Sequence, residues 1–410
     1  MIRNKNIAMI GEYPPTHLGG VGSHIQGISR ELEKQNKIMV ITIGTEKRSW
    51  QDNHVQIFQE KLWYPYRYTT LQEFFQTARK AWTYRKIIDL YHAHGAFFAG
   101  IGFLDRRKPL VLTIHGYLSL ETISTGRIKN DSMQFEFMSW VEKMSVKRAD
   151  AIIAVGNKIR EWIINELEAE PNKVFYIPNG VDTTRFVSHD LNLSEIKLIK
   201  SDFGLPVNSK IILFTKHFTP RYGIQYAVRA LSLILKKDPD VILVATNEDN
   251  YLNKTRALAR TYGVDSSCVF MGRLPEDDLI KLYNISDVFI HPSIDDLETF
   301  GISLIEAMSC GKPVISTAVG GPKEILENGK IQMGRDVGIL IPPEDVESIA
   351  ESVIYLLCHP EEAREMGRHA REYVLRNYSS DLIAEKILEV YNYVLANKGA
   401  NRDAAGKGSP

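Results

Sequence analysis

Short apolar runs rich in Ile and Val recur along the 410 residues, and between them the apolar positions fall three and four apart. In the first half the runs are NIAMIG (6–11), IMVITIG (38–44), DLYHAHG (89–95), PLVLTIHG (109–116), DAIIAVG (150–156) and VFYIPNG (174–180). In the second half they are KIILFTK (210–216), VILVATN (241–247), CVFMG (268–272), DVFIHPS (287–293), PVISTAV (313–319) and GILIP (338–342). Continuous rather than alternating apolar runs are the mark of parallel strands covered by helices on both faces, so the pattern predicts two doubly wound α/β domains. Residues 181–209 lack a long apolar pattern and are flanked by Pro-Asn-Gly and Gly204-Leu-Pro, which predicts a linker there. From Asp345 to Asn397 the spacing is almost wholly helical, and the closing GANRDAAGKGSP predicts a disordered tail.

The stretch ETFGISLIEAMSCGKP (298–313) sets one glutamate before a predicted helix and a second about one turn inside it, with Gly311 and Pro313 as stop signals. At about 1.5 Å per helical residue, Glu298 and Glu306 can lie on the order of 10 Å apart on one side. Carboxylates accept hydrogen bonds from sugar hydroxyls, and the free N–H groups of a helix start attract an anion. The pair therefore suits a ligand with hydroxyl-rich ends and an anionic middle. The alternative is that Glu298 caps the helix while Glu306 rides a solvated face.

Composition narrows the class. Apolar residues make up 44% and charged residues 24%, as in ordinary globular proteins, and no apolar run is long enough to span a bilayer. The amino terminus lacks the pattern of a secretory signal. Cys268, Cys310 and Cys358 are too few and too scattered for a disulfide framework, so a reducing, cytoplasmic setting without a metal site is expected. The net charge of zero hides an asymmetry: residues 1–185 carry 25 Lys and Arg against 19 Asp and Glu. A basic first half can face an anionic acceptor or membrane surface, whereas the near-neutral whole argues against a nucleic-acid binder.

The loop EYPPTHLGGVG leads from the first strand into a helix expected near Ser23, and Gly19, Gly20 and Gly22 let backbone amides approach an anion. A plain tight turn is the competing reading, since the dinucleotide fingerprint would need glycine at Ile25. Residues 61–86 hold eight aromatics, six Lys or Arg and one acid. Such a mixture suits a membrane interface or a sugar-stacking groove. The alternative, preferred for the Phe75–Trp82 spacing, is a helix whose Phe74, Phe75, Ala78 and Trp82 pack on the sheet. His24, His92 and His94 either border an acceptor site or are hydrogen-bonded structural groups.

Taken together, GGVGSH (19–24), TIHGY (113–117), IPNGVDTTRF (177–186), ETFGISLIEAMSCGKPVISTAVGG (298–321) and NYSSDLIAEKILEVY (377–391) resemble the retaining nucleotide-sugar glycosyltransferases of family 4, up to about residue 395. The resemblance implies a GT-B architecture: an acceptor-binding Rossmann-like domain (1–185), a donor-binding one facing it across a cleft (186–376), a helix returning to the first domain (377–397) and a tail (398–410). It implies that Glu298 accepts hydrogen bonds from the donor sugar beside the Phe300 and Gly301 backbone, and that Glu306 holds the ribose diol. Gly20 would offer its N–H to the diphosphate, His115 would lie beside the transferred sugar, and backbone around Arg273 and Leu274 would read the base. Asn179 and Asp182 look architectural.

Two departures stand out. Where the family carries a diphosphate-clamping Arg and Lys, this chain has His217 and Tyr222, so Lys216 and Arg221 are the expected substitutes, with solvated loop charges as the alternative. Asp295 and Asp296 lengthen the loop before Glu298 and are expected to be capping acids rather than metal ligands. The implied reaction moves a hexosyl group, with retention, from a UDP- or GDP-sugar to a glycan, lipid-linked or small-molecule acceptor, without cofactor or metal. The implied location is cytoplasmic, with peripheral contact at the inner membrane face. The same fold also serves nucleotide-sugar epimerases, phosphorylases that need a cofactor-bearing lysine, and non-catalytic nucleotide-sugar-binding proteins.

Overall fold

A computed structural model describes residues 3–14, 19–62, 69–124, 129, 132–247 and 251–406. The chain forms two units, one from Met1–Gly180 with Ser380–Pro410, the other from Val181–Ser379.

The first unit holds β1 (Asn6–Ile10), β2 (Lys37–Gly44), β3 (Arg48–Asp52), β4 (Val55–Lys61), β5 (Leu90–His94), β6 (Leu110–Ile114), β7 (Ala151–Ala154) and β8 (Val174–Tyr176). Their order is β3-β4-β2-β1-β5-β6-β7-β8. Every neighbouring pair is parallel except β3 and β4, a hairpin that the run-based reading does not anticipate. Its strands alternate in burial and lie at the sheet edge, so they lack the continuous apolar runs of the central strands. The terminal helix completes this core: Ile383, Ile387, Tyr391 and Val394 are buried with Ile7, Met9, Ile25, Ile28 and Leu32. It runs Ser380–Gly406, past the end expected at 397 and through most of the segment expected to be disordered. One reason is that Lys398 is tied down, pairing with Asp150 at 3.2 Å and donating to the Arg106 carbonyl. Residues 407–410 lie outside the described part.

The second unit holds β9 (Lys210–Phe214), β10 (Val241–Ala245), β11 (Cys268–Phe270), β12 (Val288–His291), β13 (Val314–Thr317) and β14 (Ile339–Ile341). They run parallel in the order β11-β10-β9-β12-β13-β14. Phe214, Phe218, Val228 and Leu231 pack with Ile349 and Val353 to form its core.

The chain leaves the first unit at Gly180, ahead of the expected boundary at 185, and returns at Ser380 rather than 377. Val181 and Ser379 are paired there, and the Val181 amide donates to the Tyr378 carbonyl at 2.8 Å. The expected linker is part of the second unit. It contains the helix Leu193–Asp202, started by a capping box of Asn192 and Glu195, and Asn284 holds the Val187 carbonyl at 3.0 Å.

In each sheet the strand order reverses direction once, between β1 and β5 and between β9 and β12. In open parallel sheets ligands bind beyond the carboxyl ends of the strands at such points.

Candidate functional site

In the second unit, Lys216 follows β9 and His291 closes β12, so the reversal brings them together: Lys216 Nζ lies 2.9 Å from His291 Nε2. Glu298 joins them. Its carboxylate is ion-paired with Lys216 and accepts from Ser293 Oγ at 3.2 Å. Burial alone would raise the Glu298 carboxyl, but the charges of Lys216 and His291 and the hydrogen bond from Lys216 hold it at about 2. Burial and the Lys216 charge push His291 down to about 3. The site at neutral pH thus carries an ionised carboxylate, a lysine ammonium and a neutral imidazole.

Glu298 is not a helix cap. The helix Ile302–Ser309 starts at Gly301, whose φ of 94° is the left-handed conformation glycine tolerates, and no side chain caps it. Its first amides have no side-chain cap. The Glu298 carbonyl accepts from the Gly321 amide at 2.7 Å, and a Cβ on Gly321 would sit 2.4 Å from Phe300 Cα. The glycine pair at 320–321 is what lets the helix Gly320–Met333 lie against the 298–300 backbone. Phe300 is buried and meets the Tyr378 ring edge-on.

Glu306 is buried rather than on a solvated face, and it accepts from the Tyr283 hydroxyl at 2.9 Å. Burial raises its carboxyl to about 7, against the hydrogen bond from Tyr283. Tyr283 is itself held 3.0 Å from Thr215, next to Lys216.

Arg221 is buried, not a solvated loop charge, and donates to Asp295 at 3.2 Å. Its charge also helps to lower the Glu298 carboxyl. Lys216 and Arg221 both lie over the Tyr222 ring, at 4.4 and 5.2 Å from its centroid, so the tyrosine at the family's lysine position contacts both cations. His217 supplies its carbonyl to the Thr219 amide. Asp295 is engaged by Arg221 and the Leu297 amide, and Asp296 accepts from the Gly320 amide at 2.8 Å, so both order the loop. Arg273 and Leu274 follow β11 beyond Gly272, which is bridged to Asn247; Arg273 is exposed there.

In the first unit the helix Gly20–Leu32 begins at Gly20, not near Ser23, with Gly19 as a cap that offers no side chain. Gly20 and Gly22 are therefore in its first turn, where the amides have no partner within the helix. Residues 15–18 of the preceding loop lie outside the described part.

Four histidines gather beside this turn. His94 ends β5, His115 follows β6, and His94 Nδ1 lies 3.1 Å from His115 Nε2. His24 Nδ1 accepts from the Gly180 amide at 3.0 Å. His92 is structural: its ring nitrogens lie 2.6 Å from the Tyr391 hydroxyl and 2.7 Å from Thr113 Oγ1. Burial lowers all four, His92 to about 3 and His115 to about 4, with Asn179 opposing the shift at His115. This cluster is neutral at physiological pH, and the positive charge described above comes from Lys216 and Arg221.

Ring nitrogens of His24, His94 and His115 lie within 4.8 Å of one another, near enough to be considered for a metal. The amide bond to His24 Nδ1 places its proton on Nε2, so one of the three lone pairs such an ion would need is already taken.

Asp182 accepts from Thr184 N and Oγ1 at 3.1 and 2.7 Å and orders its turn. Of the aromatic-basic segment, 63–68 lie outside the described part. The rest includes the helix Thr69–Thr83, where Phe74 packs against the cluster of Phe97, Met138 and Val141 and Ala78 is buried. Phe75 does not pack as expected; it is 59% exposed, because a neighbour of Phe74 points about 100° away around the helix. Arg79 and Lys80 lie near the buried Glu60, at 3.8 and 3.5 Å, and Arg85 stacks on Trp82. Of the segment's described cations, Lys80 is largely covered, whereas Lys61, Arg79 and Lys86 are exposed. Among the described residues no helix is long and apolar enough to cross a membrane.

Sequence reasoning missed His291, Ser293 and Tyr283. His291 had a signal, a polar residue at a strand's carboxyl end before Pro-Ser; Tyr283 had none, lying in the last turn of the helix Glu276–Ile285.

The family described as Glycosyltransferase Family 4 matches residues 18–185, and that described as Glycosyl transferases group 1 matches 195–373. An uncharacterized glycosyltransferase of Methanocaldococcus jannaschii is 29% identical over 96% of this chain and 99% of its own. The alpha-maltose-1-phosphate synthase of Mycolicibacterium smegmatis is 28% identical, over 95% of this chain and 99% of its own. Among solved structures, Anabaena HepE in complex with UDP-glucose superposes with a TM-score of 0.72 at 19% identity, over 95% of this chain and 99% of its own.

Proposed function

The chain belongs to the family 4 glycosyltransferases, with the GT-B fold, and from that premise we propose that it transfers a hexosyl group from a nucleotide-diphosphate sugar to a hydroxyl acceptor with retention. The observation that carries the proposal is the state of Glu298: a buried carboxylate kept ionised beside two cations, immediately before a helix whose first amides have no side-chain cap.

The donor's parts map onto that arrangement. Sugar hydroxyls donate to Glu298, the ribose diol to Glu306, and the diphosphate takes the amides after Gly301 with the charge of Lys216 and Arg221. Negative charge grows on the leaving phosphate as the glycosidic bond breaks, so cations already in place stabilise the transition state more than the ground state. Lys216 releases Glu298 to the sugar as it turns to the phosphate. The departing oxygen takes the acceptor's proton on the same face, and the reaction needs neither cofactor nor metal. The acceptor is a glycan, lipid-linked or small-molecule hydroxyl, bound by the first unit.

The test is a panel of UDP-, GDP- and ADP-hexoses with candidate acceptors, reading acceptor-dependent release of nucleoside diphosphate and the anomeric proton coupling of the product. Transfer with retained configuration that falls ~100-fold or more in Glu298→Gln is expected. An inverted product removes the retaining step. Isomerised donor without acceptor replaces transfer by epimerisation, and tight donor binding without turnover points to a binding protein.

A further inference from the structure

We propose that His291 is a positioning residue for Lys216: its Nε2 lone pair holds the lysine ammonium beyond the end of β9 while that ammonium exchanges Glu298 for the departing diphosphate. The proposal rests on the reading that the second unit binds a nucleotide-diphosphate sugar.

Geometry fixes the direction of the contact. An ammonium has three donors and no acceptor, so at 2.9 Å from Lys216 Nζ the His291 Nε2 can only accept, and the imidazole proton is on Nδ1. That N–H is buried and has no hydrogen-bond partner among the described residues. A buried donor in that state calls for an explanation, and the demand of the lysine on the opposite nitrogen supplies one.

Strand register brings the two side chains together. β12 pairs with β9 through Val288–Ile212 and Phe289–Leu213, a register that continues to His291 level with Thr215, next to Lys216. The His291 carbonyl accepts from Ser316 Oγ at 3.3 Å and from Thr317 Oγ1 at 3.4 Å, and its side chain is fully buried. A Cβ on Gly301 would lie 3.5 Å from His291 Nε2, so the nitrogen that holds the ammonium borders the start of the helix Ile302–Ser309.

The kind of partner matters as much as its place. Among the groups that hold Lys216, Glu298 is charged, whereas the His291 lone pair and the Tyr222 ring, 4.4 Å from the ammonium, are neutral. When donor hydroxyls take Glu298, the neutral partners keep the ammonium in position without cancelling its charge. That charge then meets the phosphate as the glycosidic bond breaks.

Three substitutions separate this role from packing. Glutamine carries its amide oxygen to about the position of His291 Nε2, asparagine stops near Nδ1, and leucine keeps the bulk without an acceptor. The leaving nucleoside diphosphate bears negative charge that the bound donor lacks, so affinity for UDP, GDP or ADP, measured by calorimetry, reads Lys216 more directly than donor KM does. His291→Leu and His291→Asn should lower kcat ~10–100-fold and weaken the nucleoside diphosphate about tenfold, with donor KM moved less than about 3-fold. His291→Gln should recover most of both losses. Equal impairment of the leucine and glutamine variants overturns the proposal, and so does a leucine variant with parental kcat and product affinity. Long-range proton–nitrogen NMR of the parent protein needs no ligand and should show His291 protonated on Nδ1; a proton on Nε2 overturns the proposal as well. If none of the three nucleotides binds the parent protein, the functional reading fails and the NMR result still decides whether the imidazole accepts from Lys216.

Discussion

Lys216 and Glu298 form an ion pair almost out of water, their side chains about one-tenth exposed, across the point where the second sheet reverses its strand order. Removing one partner of such a pair strands the other charge, typically at a cost of about 3–5 kcal/mol. Lys216→Met should lower unfolding stability at pH 7 by an amount approaching that range and should also depress transfer. The Glu298 pKa of about 2 lies below its value in an unfolded chain, so the pair's contribution is present above about pH 4.5 and is lost as pH falls toward 2. In Lys216→Met the deficit should therefore shrink between pH 4.5 and pH 2.5. Urea denaturation at both pH values reads this; an equal deficit at both would show that the charge is not what matters.

Glu306 behaves in the opposite sense. Its carboxyl is raised to about 7, so the folded chain holds that proton through the window from about 4.5 to 7, and the group's contribution to stability declines as pH rises through it. Ionised Glu306 is the better acceptor for a ribose diol. Donor affinity should tighten as pH passes from 6 to 8, by at most about tenfold per unit, and Glu306→Gln should flatten the profile. Calorimetric titration of donor across that range is the measurement.

At Gly321 a methyl group has nowhere to go: it would meet the Thr299 carbonyl and Phe300 Cα at 2.4 Å, both backbone. Gly321→Ala should cost about 2 kcal/mol or more and weaken donor binding, because the 298–301 segment must shift. Gly204→Ala is the control. It has φ of +66° but open space around it, so about 1 kcal/mol of backbone strain and unchanged donor binding are expected.

Tyr391→Phe removes the hydroxyl 2.6 Å from His92 Nδ1 in the core of the first unit. A buried nitrogen left without its partner costs about 1–3 kcal/mol. The expected signs are a lower denaturation midpoint and faster proteolysis of the terminal helix. An unchanged midpoint would mean that the hydroxyl contributes no net stability.

The central strands were readable because parallel strands between helices are apolar throughout. The β3–β4 hairpin was not, since its alternating edge pattern looks like loop until a partner strand is known. The same limit applied to the site. Glu298, Glu306 and the glycine turn stand out as local motifs, but His291 and Tyr283 acquire meaning only from strand order and from burial against Glu306. Phe75 shows the converse error: helical spacing groups residues on a face, and two adjacent aromatics cannot share one. The terminal helix reads on to Gly406 because Lys398 finds Asp150 and Arg106, partners more than 240 positions away that no local propensity reveals.

The last helix also constrains how this molecule is made. Ile383, Ile387, Tyr391 and Val394 belong to the same buried cluster as Ile7 and Met9, yet the ribosome delivers them only after the whole of Val181–Ser379. At ~5–20 residues per second, the nascent first unit waits on the order of 10–40 s with one side of its sheet open to water. The second unit is contiguous and can close first, so the half begun earliest is the half finished last, and chaperone demand should concentrate on that interval.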